Sequence, residues 1–230
     1  DAYKIGSGDI TFNSVLKKIS EKDKPILLAA GASSLGDVKN AMNILLSHNN
    51  SSNLCLMQCN TNYEGSWSNA KFQNLNVLKS FHNMYPESIL GLSCHMPGWT
   101  SVIGSVALGA RVVEKHFTDD RGRPGPDHSF AINPIEWKQM VEETRLLESM
   151  MGDGIKKVER NEEKTVIVQQ RCLRLKLDLK PGDIIDESMI EALRPCPKNG
   201  IKPYETESIL NKKLTKSINS GDHITYDHFA

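Results

Sequence analysis

No run of apolar residues approaches the ~20 that a membrane-spanning helix requires, so nothing in the 230-residue chain reads as a transmembrane segment. An excess of one charge is missing too: Lys plus Arg and Asp plus Glu each total 28, for a formal net charge of zero. A balanced chain exerts no general attraction on nucleic acid or anionic membranes, which excludes both as expected partners. Disulfide and zinc frameworks are also lacking. The five cysteines (Cys55, Cys59, Cys94, Cys172 and Cys196) are odd in number and match no such spacing. Cys55 and Cys59 fall in an apolar run and read as buried free thiols, which points to a reducing compartment, the cytoplasm. The opening residues carry no signal-peptide pattern and no initiator methionine. The chain enters an apolar element at Tyr3, so sequence upstream of Asp1 is expected to be missing.

What is present is an alternation. Short apolar runs at residues 3–7, 26–30, 54–59, 89–93 and 112–117 read as strands buried on both faces. Helical spacing fills the gaps at residues 12–20, 35–46, 74–82 and 101–108, and a long amphipathic helix covers 136–151. Ser34 is placed to cap the second helix with Asp37 as its acidic partner, and Pro134 precedes the last. Strand–helix alternation predicts a parallel sheet with right-handed crossovers. Five strands are fewer than the eight of a closed (β/α)8 barrel, so an open sheet and a barrel lacking its first units both remain. After a charged linker at residues 152–167 the texture changes. The turn signals Lys180-Pro181-Gly182-Asp183 and Gly221-Asp222, a short helix near residues 187–191 and short apolar stretches predict a small, irregular β-rich domain over 168–230.

Ligands of parallel β/α folds sit at the C-terminal ends of the strands. The polar residues expected there are Lys4 and Ser7; Cys59, Thr61 and Tyr63; Ser93 and His95; and His116 and Thr118, with Gly31 also at a strand end. Adjacent strands lie ~4.8 Å apart, so two imidazoles on neighbouring strand ends can share one ion at about 2.1 Å each. The pattern alone also suits two hydrogen-bonded polar residues opening their loops. Lys4 suits a phosphate or carboxylate, or a solvated rim. The stiff loop Pro124-Gly125-Pro126-Asp127-His128 either presents a carboxylate and an imidazole or is a plain surface turn.

Taken in order, Lys4-Ile5-Gly6-Ser7-Gly8-Asp9, Lys24-Pro25-Ile26-Leu27-Leu28-Ala29-Ala30-Gly31, Gly91-Leu92-Ser93-Cys94-His95, Glu114-Lys115-His116-Phe117-Thr118 and Pro124-Gly125-Pro126-Asp127-His128 resemble the N-acetylneuraminate (sialic acid) synthase family, with its legionaminate and pseudaminate branches. Lys180-Pro181-Gly182-Asp183 and Arg194-Pro195 resemble that family's antifreeze-like SAF domain. The resemblance implies an α/β fold: a (β/α)8 TIM barrel lacking its first strand–helix units over residues 1–151, then the SAF domain, in a domain-swapped homodimer. It implies a carbon–carbon bond-forming transferase that condenses phosphoenolpyruvate with an N-acetylhexosamine, N-acetylmannosamine or a related diacetamido sugar, to give a nonulosonic acid and phosphate. It implies a divalent metal, manganese first and magnesium or cobalt as substitutes, held by His95 and His116. By motif, Lys4, Ser7, Ser93 and Thr61 would hold phosphoenolpyruvate. Asp9, Tyr63, Asp127 and Arg194 would hold the sugar, Arg194 from the partner subunit. The catalytic glutamate is expected upstream of Asp1, so the 230 residues alone are expected to be inactive.

Four departures stand out. Cys94 replaces a usual aspartate and Met96 a usual threonine, Ala29-Ala30 replaces a frequent Ser-Thr, and the segment from Arg194 to Gly200 is longer than the common form. They motivate an alternative, a non-catalytic sugar- or partner-binding paralogue of the same fold. A Schiff-base aldolase barrel is a third reading.

Overall fold

The structure is a computed structural model and describes residues 1–229. It divides into two compact units, residues 1–154 and 155–230. The first is built from β1 (Tyr3–Ile5), α1 (Asn13–Ser20), β2 (Ile26–Ala29), α2 (Leu35–Leu46), β3 (Leu54–Cys59), α3 (Val77–Met84), β4 (Ile89–Cys94), α4 (Thr100–Ala107), β5 (Ala110–Lys115) and α5 (Pro134–Met151). All five strands are parallel and lie in sequence order, β1-β2-β3-β4-β5. A helix between each consecutive pair, crossing over right-handedly, puts the helices on one face of the sheet.

Strand alternation then decides what each face carries. Ile5, Ile26, Leu28, Leu54, Leu56 and Leu90 pack with Leu16, Val38, Met42, Leu45, Leu78 and Phe81 into the helix-side core. Toward α4 and α5, Leu92, Cys94, Met96, Val102, Ile132 and Met140 continue it. The opposite face carries Lys4, Cys55, Met57, Cys59, Ser93 and Glu114 by the same alternation. Here Gly91 is required by space, since a Cβ at that position would lie 2.7 Å from Met57 Cγ and 3.0 Å from the Val112 carbonyl oxygen.

Local signals explain the helix ends. Ser34 accepts from the Asp37 N–H at 3.3 Å while Asp37 accepts from the Ser34 N–H at 2.8 Å, closing a reciprocal cap. Asn133 and Glu136 form the same pair at the start of α5, with Pro134 in its first turn. The third helix begins at Val77, three residues later than expected, because Asn74 sits at φ 43°, outside helical space. The last strand ends at Lys115, two residues before the expected end.

The second unit holds α6 (Glu163–Gln169), β6 (Cys172–Leu175) and β7 (Ile190–Leu193). β6 and β7 are antiparallel, and isolated bridges such as Leu179 with Ile218 and Ile184 with Lys213 complete an irregular β framework. Leu173, Leu175, Ile185, Ile209, Leu214 and Ile224 form its core. Both expected Gly-Asp turns have their glycine at positive φ, Gly182 at 102° and Gly221 at 85°. Two expectations are corrected. α6 occupies the end of the expected linker, and the short helix near residue 187 shrinks to one 3-10 turn, Glu187–Met189, because Ile190 is already paired in β7.

Candidate active site

Register builds the site. β4 and β5 pair Ser93 with Glu114 and Cys94 with Lys115, so the next rung sets His95 beside His116. Their ring centroids are 5.0 Å apart, at 53°. Tyr63, from the loop after β3, lies 4.3 Å from the His95 ring and 6.0 Å from that of His116. A cavity of about 430 Å³ opens over them, lined among others by Lys4, Ser7, Ser93, Glu114 and Asp127. A larger space of about 710 Å³ lies around Trp67, Trp99 and Phe130, without the strand-end histidines.

One contact reports the shape of the sheet. Lys4 Nζ on β1 and Glu114 Oε2 on β5 are 2.8 Å apart. In a flat sheet four inter-strand steps would separate these strands by about 19 Å, beyond the combined reach of a lysine and a glutamate. The sheet therefore curls, bringing its first and last strands toward one another at their C-terminal ends. Burial works against charge on Glu114, but bonds from Lys4 and Ser93 outweigh it and hold the carboxyl below the usual carboxylate range.

His95 Nδ1 lies 3.0 Å from the Asn60 carbonyl oxygen, which can only accept, so Nδ1 carries the proton and Nε2 keeps its lone pair. Burial of His95 disfavours its charged form, yet Cys59, the Asn60 carbonyl and Glu114 together raise its pKa. Burial lowers the pKa of His116, and His95 lowers it further, which favours the neutral ring. Asp127 Oδ2 stands 3.5 Å from His116 Nδ1, and the Phe130 ring packs 4.9 Å from the His116 ring. Imidazole nitrogens suit divalent transition metals, so two rings this close are a suitable donor pair. Among the described residues no group of three or more His, Cys, Asp and Glu gathers as a metal cluster. A metal held by this pair would keep open positions for substrate or water, as catalytic sites do.

Beside this pair, Ser7 Oγ accepts from the Gly31 N–H at 3.0 Å, and Cys59 Sγ lies 3.5 Å from Thr61 Oγ1. A Cβ at Gly31 would fall 1.8 Å from Thr61 Oγ1 and 2.8 Å from Ser7 Oγ, so only glycine lets the backbone approach these hydroxyls.

Of the site residues expected from the sequence, Lys4, Ser7, Ser93, Tyr63, His95, His116 and Asp127 line one cavity, and Thr61 adjoins it through Cys59 and Gly31. Asp9 does not line it; Asp9 is exposed, in the 3-10 turn Ser7–Asp9. Arg194 belongs to the second unit, where its Nε donates to the Gln169 carbonyl at 2.5 Å. His128 turns to Thr118 Oγ1, 2.7 Å away. Glu114 and Phe130 join the site without having been singled out. Glu114 stood inside a quoted motif, and its acidic side chain two residues before a candidate metal histidine was the available signal. Cys94, in the aspartate's place, is buried on the helix side, with Ser101 Oγ at 3.0 Å and Lys115 Nζ at 3.7 Å from its sulfur. Burial lowers the pKa of Lys115, which Cys94 only partly opposes.

Residues 1–156 match the NeuB family and residues 170–230 the SAF domain. This chain belongs to the NeuB family. It is similar to the N,N'-diacetyllegionaminic acid synthase of Campylobacter jejuni subsp. jejuni serotype O:2, 35% identical over 223 residues, covering 96% of this chain and 65% of that protein. Against the synthase of the same name from Legionella pneumophila subsp. pneumophila it is 31% identical, covering 98% of this chain and 62% of the relative. The chain thus spans somewhat under two thirds of the length of these NeuB-related proteins. A crystal structure of an N-acetylneuraminic acid (sialic acid) synthetase from Leptospira borgpetersenii serovar Hardjo-bovis, in complex with citrate, superposes with a TM-score of 0.64 at 27% identity, covering 72% of this chain and 56% of the other.

Proposed function

We propose that these residues form the phosphoenolpyruvate- and metal-binding part of a nonulosonic acid synthase. The whole protein would join phosphoenolpyruvate to an N-acetylated amino sugar, N-acetylmannosamine or a 2,4-diacetamido relative, and release phosphate. The observation that carries the reading is the gathering of Lys4, Ser7, Ser93 and Asp127 around the His95–His116 pair. The relatives named as synthases of N,N'-diacetyllegionaminic acid support it. The curl seen in the Lys4–Glu114 contact supports a closed (β/α)8 barrel, with the remaining units and the acid–base glutamate lying outside these 230 residues.

Each side chain then has a task. Phosphoenolpyruvate carries a phosphate and a carboxylate. Lys4 supplies a fixed positive charge, and Ser7, Thr61 and Ser93 supply hydroxyl donors. Glu114 holds the Lys4 ammonium in place and bonds Ser93. Tyr63 and Asp127 line the same cavity and would contact the sugar. Asp9 and Arg194 are assigned to the sugar by motif alone. His95 and His116 would hold the divalent ion, manganese by preference. When bound, such an ion supplies a Lewis acid for the open-chain aldehyde of the sugar. The reaction would form a bond between C3 of phosphoenolpyruvate and the aldehyde carbon; water would add at C2 and phosphate would leave. We assign the domain-swapped homodimer and a reducing, cytoplasmic setting to the same proposal, the latter on the five free thiols.

Cys94 and the Ala29-Ala30 pair favour a second reading, a sugar-binding paralogue without turnover. One assay separates them. The full-length protein is incubated with manganese, phosphoenolpyruvate and each candidate sugar. Phosphate release that needs both substrates is expected; none with any hexosamine would sink the synthase reading. The isolated 230-residue chain is expected not to catalyse the condensation, and turnover by it would refute placing the acid–base group elsewhere.

A further inference from the structure

The residue between Glu114 and His116 borders the same cavity, but its ammonium is bound by neither histidine; Met96 and Cys94 take it instead. Alternation on β5 puts Glu114 and His116 on one face and Lys115 on the other, with Cys94 opposite it on β4. Lys115 is 8% exposed. Its ammonium donates to the Met96 carbonyl oxygen and lies 3.7 Å from Cys94 Sγ. Those two acceptors flank His95 in sequence. A single buried side chain beside His116 thus holds the Met96 backbone and the Cys94 side chain, one on either side of His95. Its hydrogen-bond acceptors are a carbonyl and a thiol.

We propose that Lys115 is a positioning residue that sets the spacing of His95 and His116, and through it the metal affinity of the pair. Its ammonium is held by Met96 and Cys94, so it acts on the histidines through them. The chain leaves the sheet at His95, one residue past the last paired rung of Cys94 with Lys115. The Lys115 clamp replaces the missing ladder bonds there, so the His95 ring stays beside the His116 ring at 5.0 Å. The inference rests on the metal reading above. Its own content is that a buried residue whose ammonium bonds neither histidine controls that site.

The test is calorimetric titration of the protein with manganese alone, without substrates. Outer partners of metal ligands typically change affinity by about 10–100-fold when removed. Lys115→Met, of similar length and apolar, should weaken manganese binding by at least about tenfold in protein whose near-ultraviolet circular dichroism matches the parent. Unchanged affinity in such protein would overturn the proposal. Where Lys115→Met does not fold, Cys94→Asp decides. A carboxylate there gives the clamp a charged acceptor, and manganese should bind more tightly, a gain that general destabilisation does not produce. Equal or weaker binding in that variant would overturn the proposal. If the parent protein binds no manganese, the metal reading itself fails, and that outcome is distinct from a parent that binds while Lys115→Met binds equally well.

Discussion

At the scale of single residues, burial constrains some groups through their charge and others through space. Cys55 belongs to the first kind. Burial pushes its thiol up to about 12 from an ordinary value of 9.0, opposed only in part by Lys4. A folded form that disfavours the thiolate has its full stabilisation below pH 9 and loses it as pH rises toward 12. Cys55→Val should therefore flatten the alkaline loss of stability. Urea unfolding of parent and variant at pH 8 and pH 10.5 checks this; parallel losses in the two proteins would contradict it. Gly31 is of the second kind. Gly31→Ala drives a methyl group against Thr61 and Ser7, an overpacking that costs about 1–3 kcal/mol. Binding of phosphoenolpyruvate should fall with it, and a variant of normal stability and affinity would show that the close approach is dispensable.

At the scale of elements, caps and ladders carry separate weights. Ser34→Ala removes the side-chain half of the cap on α2 and should lower stability by about 1 kcal/mol, measured by chemical denaturation, with the site unaffected because the cap lies on an exposed helix start. Much of this level was legible in the sequence. β3 occupies residues 54–59 and α2 residues 35–46, both as read, because an uninterrupted apolar run and a capped amphipathic repeat are local signals. His95 and His116 were legible as neighbours because strand ends in consecutive β/α units are neighbours by topology. Glu114 was not, since placing the last strand two residues too far along made it mid-strand instead of terminal. Its contact with Lys4 depends on the curl of the whole sheet, which no local pattern encodes. α6 was missed for a different reason: Glu162, Glu163 and Lys164 read as linker, while Val166, Ile167 and Val168 are β-branched and weak in helix.

At the scale of the whole molecule, two units with separate cores are joined by an exposed stretch. Residues 152–158 are exposed, and Gly152 and Gly154 adopt positive φ. Limited proteolysis should cut there first and leave both cores protected; early cleavage inside either unit would contradict the division. No helix among the described residues is long and apolar enough to cross a membrane. The first unit is a NeuB-family parallel sheet whose curled C-terminal edge gathers the site, and the second is an SAF domain. The central claim is that His95 and His116 act together as one metal site, and manganese electron paramagnetic resonance addresses it most directly. The six-line signal of free manganese should diminish on titration with the parent protein to an end point of one ion per chain, and should persist with His95→Ala and with His116→Ala. Retention of parent-like binding by either variant would contradict a site shared between the two rings.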